Sequence, residues 1–73
     1  MVTVKMISFD PLWETLGQQG IKRTELMKRV GFSKATLAKM GKDQAVSLDV
    51  LERICLELKV PISSVVEIVQ DPD

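Results

Sequence analysis

Lysines and arginines are concentrated in one part of this 73-residue sequence. Residues 22–42 carry seven basic side chains against one acidic side chain, Glu25, which gives this stretch a formal charge of +6. The remaining 52 residues carry three basic and nine acidic side chains, a formal charge of −6, so the total is zero. Basic residues gathered in this way are typical of a surface that binds a polyanion such as nucleic acid. A basic face that is merely solvated is the alternative.

Residue types that enzymes commonly use are scarce in this chain. The sequence has no His and no Tyr, and its single cysteine, Cys55, falls within an apolar stripe where a core residue is expected. No glycine-rich phosphate loop, paired set of metal ligands or nucleophile motif is present. We therefore expect a protein that is not an enzyme, uses no cofactor or metal ion and binds no small-molecule ligand.

Membrane and secretion signals are also missing from the sequence. The longest uninterrupted apolar run is three residues, 54–56, which is too short for a membrane span or for the apolar region of a secretory signal. We expect a cytoplasmic protein with no membrane partner, folded as one small domain over residues 1–73.

Two elements are predicted before residue 21. Residues 1–7 alternate apolar and polar side chains, the period of two that is typical of a strand. Asp10 can accept bonds from free backbone N–H groups and Pro11 tolerates the first helical position, so a helix is predicted to begin there and to end at residues 18–20. Its apolar face, with Trp13 expected to be a core anchor and not a stacking platform, is Phe9, Leu12, Trp13 and Leu16.

Two short helices are predicted on either side of Gly31. Thr24 is expected to cap the first, and Gly31 to end it in the left-handed conformation. Ser33 is expected to cap the second, which runs to about Gly41. Five apolar residues at fixed offsets from Gly31 would pack the two helices together at a wide angle: Leu26, Val30, Phe32, Leu37 and Met40. This spacing is typical of a helix-turn-helix, whose second helix enters the major groove of DNA.

The C-terminal third predicts one longer helix, and its last segment is ambiguous between helix and strand. Ser47 is expected to cap a helix that runs to about Leu58, whereas Leu56 falls on its polar side. A helical turn over residues 62–66 and a β-branched segment over residues 65–69 follow, and residues 70–73 are expected to fray. The apolar stripe of the helix is Leu48, Leu51, Ile54, Cys55 and Leu58. The predicted fold is all-α, about five short helices with a helix-turn-helix. A small two-stranded ribbon formed by the termini, including an N-terminal arm over residues 1–8, is left open.

Over about residues 9–66 the chain resembles the Cro/C1-type, or XRE, helix-turn-helix regulators. The stretch TLAKMGKDQAVSLDVLERIC is particularly similar to their small bacterial members. One departure is Met27, four residues before Gly31, where the family usually has a small residue such as Ala. A bulky side chain there must turn aside, so we expect helix packing to differ locally. The resemblance implies a transcriptional regulator that binds double-stranded DNA with its third helix, commonly as a homodimer.

The outward face of the third helix carries basic side chains and small ones. With Leu37 and Met40 directed inward, a spacing of 100° per residue directs Ala35, Ala38, Lys39 and Lys42 outward, with Lys34 on the flank. Alanines allow close approach to the groove floor, and lysines can donate to guanine or to phosphate. Ala and Lys are also simply good helix formers, which is the plain alternative. We expect base contacts from Ser33, Lys34, Ala35, Ala38 and Lys39, and phosphate contacts from Lys22, Arg23, Thr24, Thr36 and Lys42.

Two functions from different classes remain open on the sequence. The first is a sequence-specific DNA-binding regulator that forms a homodimer, at least on DNA, through Leu56 and residues 65–69. The second is a protein-interaction module, an adaptor or an antitoxin, which uses the same helical fold to bind another protein. Salt dependence distinguishes them, because DNA binding weakens steeply as ionic strength rises.

Overall fold

The computed structural model of the protein describes residues 5–70, with side chains from residue 7 to residue 69. Within them lie β1 (Lys5–Ser8), α1 (Asp10–Gln19), α2 (Arg23–Val30), α3 (Lys34–Gly41), α4 (Leu48–Leu58), a 3₁₀ turn (Ile62–Ser64) and β2 (Glu67–Gln70). This order confirms the predicted fold class, short helices with a helix-turn-helix and a small ribbon. None of the helices in this described part is long and apolar enough to cross a membrane.

The ribbon pairs the two ends of the described chain with each other. β1 and β2 are antiparallel, with Ile7 opposite Ile68 and Ser8 opposite Glu67. Pairing satisfies backbone groups that two isolated strands would leave open. The ends therefore pair within one chain, which the sequence left open. Val2 and Val4 of the predicted strand and residues 71–73 of the predicted frayed tail lie outside the described residues.

Side chains from α1, α2, α3 and α4 meet in one apolar core. Leu12, Leu26, Met40 and Ile54, one from each helix, are fully buried. Burial of this kind contributes about 25 cal/mol per Å² of apolar surface, and it is what holds four short helices that would be marginal alone. Among side chains 7–69, the buried apolar residues are Phe9, Leu12, Leu16, Leu26, Met40, Leu51, Ile54, Leu58 and Val65.

Two of the four predicted helix caps are wrong. α1 begins after Phe9, and Asp10 makes no capping bond; its charge lies in the first turn, where the helix dipole favours an anion. α2 begins at Arg23, so that Thr24 lies inside the helix and caps nothing. A side-chain cap contributes about 1 kcal/mol, and tertiary packing of the helix outweighs it. Ser33 and Ser47 do cap, accepting from backbone N–H groups at 3.2 and 3.3 Å.

One member of the apolar stripe predicted for α4 is not in the core. Leu48 is 81% exposed, because it is the first residue of the helix and lies beyond the end of the core at Leu51. Leu56 is 72% exposed, as predicted. Cys55 is half-buried against the core, and burial raises the pKa of its thiol, with a backbone hydrogen bond acting in the opposite direction. That thiol is a core group and not an activated nucleophile.

Candidate nucleic-acid interface

The turn between α2 and α3 is built on a left-handed glycine. Gly31 has φ 89° and ψ 29°, and its N–H donates to the carbonyl oxygen of Met27 at 2.8 Å. A side chain at this φ would strain the backbone, which is why glycine occurs here. Phe32 follows and packs against the core, and Ser33 turns the chain into α3 with an extended backbone. The predicted left-handed glycine at the end of the first helix and the predicted Ser33 cap of the second are both confirmed.

The inner face of α3 is seated in the core. Met40 is fully buried, and Leu37 is half-buried and packed against the core. Met27 is the position at which the sequence departs from the family pattern. Its side chain is half-buried but is not among those that pack on the core. The side chain of Met27 is therefore not part of the core, and the expected local difference in helix packing stays a prediction.

The outer face of α3 is exposed over its whole length. Lys34, Ala35, Ala38 and Lys39 are all exposed, and so is Lys42, which follows the last residue of the helix. None of the three lysines is ion-paired with a carboxylate among the described residues. The positive charge of this face is therefore available to an external anion.

Two hydroxyl groups predicted to contact DNA are engaged with each other. Ser33 Oγ accepts the N–H of Thr36 at 3.2 Å, and it lies 3.1 Å from Thr36 Oγ1. Ser33 is exposed and Thr36 is half-buried. Their shared role is to begin α3, and any contact with DNA must be made without breaking that cap.

Carboxylates near the basic face are directed elsewhere. Asp43 follows Lys42 in the sequence, but its carboxylate accepts the N–H of Phe9 at 2.9 Å. Glu25 pairs with Arg29 at 2.6 Å, and Arg29 Nη1 also lies 3.9 Å from a carboxylate oxygen of α4. The anchoring role of Asp43 had no signal in the sequence, because its partner lies 34 positions away.

The start of α2 approaches the end of α3 through Arg23. Its guanidinium carbon lies 3.8 Å from the centroid of the Trp13 ring, and its Nη1 lies 3.8 Å from the point where Gly41 would carry a Cβ. Lys22 and Thr24, its neighbours, are exposed. Arg23, one of the residues predicted to contact phosphate, thus lies beside the last residue of α3. Trp13 is half-buried: it packs on the core as predicted, and it also carries a stacked cation, which the sequence did not predict.

A shallow cleft of about 200 Å³ lies away from this face, between α1 and the 3₁₀ turn. Its polar lining includes Thr15, whose hydroxyl already donates to the carbonyl oxygen of Ser64 at 2.8 Å. No buried side-chain nitrogen or oxygen among the described residues lacks a hydrogen-bond partner, so the cleft offers no buried polar group to a ligand.

A helix pair with a glycine turn and an exposed basic second helix defines a helix-turn-helix domain. A family model described as the Cro/C1-type HTH DNA-binding domain matches residues 11–71, and the chain belongs to this family. The family is a class of DNA-binding domains and not a class of enzymes.

A solved structure is similar to the chain over most of its length. It is the crystal structure, form II, of the transcriptional regulator VanUg, with a TM-score of 0.88 and 37% sequence identity. The similarity covers 92% of this chain and 89% of that chain. It is consistent with a narrower resemblance of the sequence, to VanU, a small regulator from vancomycin-resistance operons. No match was found among curated proteins.

Proposed function

We propose that the protein is a transcriptional regulator that binds double-stranded DNA and reads base sequence in the major groove with α3. The observation that carries this proposal is the outer face of α3. Ala35 and Ala38 are exposed there beside Lys34 and Lys39, and those lysines have no ion-paired carboxylate among the described residues. Small side chains allow the helix to approach the bases, and the lysines can donate to guanine O6 and N7.

The proposed contacts divide into two groups by their position. Base contacts come from the outer face and cap of α3: Ser33, Lys34, Ala35, Ala38 and Lys39. Phosphate contacts come from the beginning of α2 and the two ends of α3: Lys22, Arg23, Thr24, Thr36 and Lys42. Phosphate contacts set the orientation of the protein on the duplex, and base contacts supply sequence preference. Ser33 and Thr36 contribute less than the lysines, because their hydroxyls are occupied in the cap.

We further propose that the protein acts as a homodimer, at least on DNA. Leu56, Ile68 and Val69 are apolar and exposed, which supports a contact between two copies. A symmetric dimer would read two half-sites separated by one helical turn, about 34 Å. A regulator of this kind works in the cytoplasm, where the DNA lies.

A second candidate function rests on α4. Its outer side combines the exposed Leu48 and Leu56 with the acidic residues Asp49, Glu52 and Glu57. Such a surface suits a protein partner with basic and apolar side chains, as in an adaptor or an antitoxin.

Footprinting and salt-dependent titration test the first candidate against the second. We expect the protein to protect a site in the promoter of its own gene, with affinity that falls steeply between low and physiological salt through counterion release. A protein that gives no footprint and whose binding to any duplex is undetectable even at low salt would overturn the proposed function. The α4 surface would then be the site to pursue.

A further inference from the structure

The guanidinium group of Arg23 is stacked on an aromatic ring. Arg23 is the first residue of α2 and is exposed, and its central carbon lies 3.8 Å from the ring centroid of Trp13 in α1. A guanidinium in this position is attracted by the negative face of the indole, while the N–H groups at its edge remain available to other partners. The stack therefore restricts a long side chain without occupying its donors.

Arg23 also differs from the other two arginines of the chain. Arg29 and Arg53 are each ion-paired with a carboxylate on their own helix. Arg23 has neither an ion pair nor a hydrogen bond through its guanidinium among the described residues. Its Nη1 lies beside Gly41, the last residue of α3. An uncompensated cation with free donors is thus held where α1, α2 and α3 meet.

We propose that Trp13 is a positioning residue for DNA binding, and that its ring holds the Arg23 guanidinium ready to contact a phosphate of the DNA backbone. This inference rests on the proposed function and extends it to a residue of α1 that is not expected to touch the duplex. A planar guanidinium matches two phosphate oxygens at once. An unrestrained arginine loses rotamer freedom when it binds, and the stack removes part of that loss in advance.

Lys22 provides a matched control one residue earlier in the chain. It is exposed and carries the same charge, and the cation–π contact with Trp13 involves Arg23 alone among the described residues. Its contribution to DNA affinity should therefore not depend on Trp13. The contribution of Arg23 to DNA affinity should depend on Trp13.

A double-mutant cycle measures this dependence. Arg23→Ala and Lys22→Ala are each made in the wild-type protein and in a Trp13→Leu background, and affinity is measured for a mixed-sequence duplex of about two helical turns at several salt concentrations. We expect Arg23→Ala to weaken binding about five- to tenfold in the wild-type background and to lower the salt slope by about one. In the Trp13→Leu background we expect Arg23→Ala to weaken binding only about two- to threefold. Lys22→Ala should weaken binding equally in both.

Fluorescence tests the stack in the absence of DNA. Trp13 is the only tryptophan and there is no tyrosine, so the tryptophan fluorescence of the protein reports on this one ring. We expect Arg23→Ala to change the emission of the free protein and Lys22→Ala to leave it unchanged. Trp13→Phe, which keeps a smaller ring in the core, replaces Trp13→Leu if circular dichroism shows that the latter is unfolded; its cycle should give a smaller but measurable coupling.

The possible results separate the two proposals. If wild-type protein binds the duplex but Arg23→Ala has the same effect in both backgrounds, the positioning role is overturned and the DNA-binding proposal stands. If Trp13→Leu changes the effects of Arg23→Ala and Lys22→Ala alike, Trp13 supports only the fold, and the inference is again overturned. Failure of the wild-type protein to bind any duplex at low salt overturns the proposed function and this inference together.

Discussion

The carboxylate of Asp43 accepts a hydrogen bond from the backbone N–H of Phe9 at 2.9 Å. This bond ties the loop that follows α3 to the residue that precedes α1. Phe9 is buried, so water has little access to its N–H if the acceptor is removed. Asp43 has φ 56°, in the left-handed region that Asp and Asn tolerate better than most side chains. Asp43 therefore adds a polar link between the end of α3 and the start of α1 to the apolar contacts that these helices make in the core.

We expect Asp43→Ala to lower the free energy of unfolding by about 1–3 kcal/mol, because it leaves a buried donor without a partner. Asp43→Asn is the matched control. Asn retains an acceptor oxygen and tolerates the same left-handed backbone conformation. This variant should therefore lose less free energy of unfolding, under about 1 kcal/mol. Urea denaturation followed by circular dichroism measures both. Equal stability of Asp43→Ala and the wild-type protein would contradict the anchoring role.

Two glycine substitutions should have effects of opposite sign. Gly31→Ala is expected to destabilise the protein by at least about 1 kcal/mol, because Gly31 has φ 89° and a side chain is strained there. Gly17 lies in α1 with helical backbone, and a Cβ there would meet no atom within 4 Å. Gly17→Ala should therefore stabilise by about 0.5–1 kcal/mol. Thermal unfolding of the two variants measures both changes in stability. A Gly31→Ala variant as stable as the wild-type protein would show that the turn does not need glycine.

The two residues that the sequence offered as caps of the helix-turn-helix should respond differently to alanine. Ser33→Ala removes the acceptor for the Thr36 N–H and should cost about 1 kcal/mol of stability. Thr24 is exposed inside α2 and makes no capping bond, so Thr24→Ala should be neutral or slightly stabilising. Denaturant titration compares the two variants. A loss at Thr24 as large as that at Ser33 would argue that Thr24 caps α2 in solution, so that the helix begins two residues later, at residue 25.

Lys39 is expected to contribute to sequence preference. Lys39→Ala should weaken binding to the footprinted site by about 1–3 kcal/mol and reduce discrimination at one or two base pairs. Arg53→Ala removes an equal charge from α4, where Arg53 pairs with Asp49, and should leave DNA affinity nearly unchanged. Titrations on matched and mismatched duplexes measure the difference. If Lys39→Ala weakens all duplexes alike, Lys39 contacts phosphate and base reading falls to the other side chains of α3.

Self-association should depend on one end of α4. Leu56→Glu is expected to reduce dimer formation on the footprinted duplex at least about tenfold, because it places a charge in an apolar contact. Leu48→Glu is the control, since Leu48 is as exposed but lies at the opposite end of the helix. Sedimentation gives the number of chains per duplex. One chain bound to a duplex with two half-sites would refute the dimer.

Several local features of this protein were determined by its sequence. The glycine turn, the Ser33 and Ser47 caps and the exposed outer face of α3 were all predicted correctly, because each depends on residues within about four positions of one another. The charge on that face could be predicted for the same reason. A backbone conformation that only glycine adopts easily, or a hydroxyl three residues from a free N–H, leaves a signal that needs no knowledge of the fold.

Other features were decided only by the tertiary structure. The stack of Arg23 on Trp13, the bond from Phe9 to Asp43 and the pairing of β1 with β2 each join residues well separated along the chain. The same packing moved the start of α2 away from Thr24, against a capping preference worth about 1 kcal/mol, and it left Leu48 outside the core. Shared burial of apolar surface from four helices is the larger energy, and the contacts that it brings together cannot be read from spacing alone.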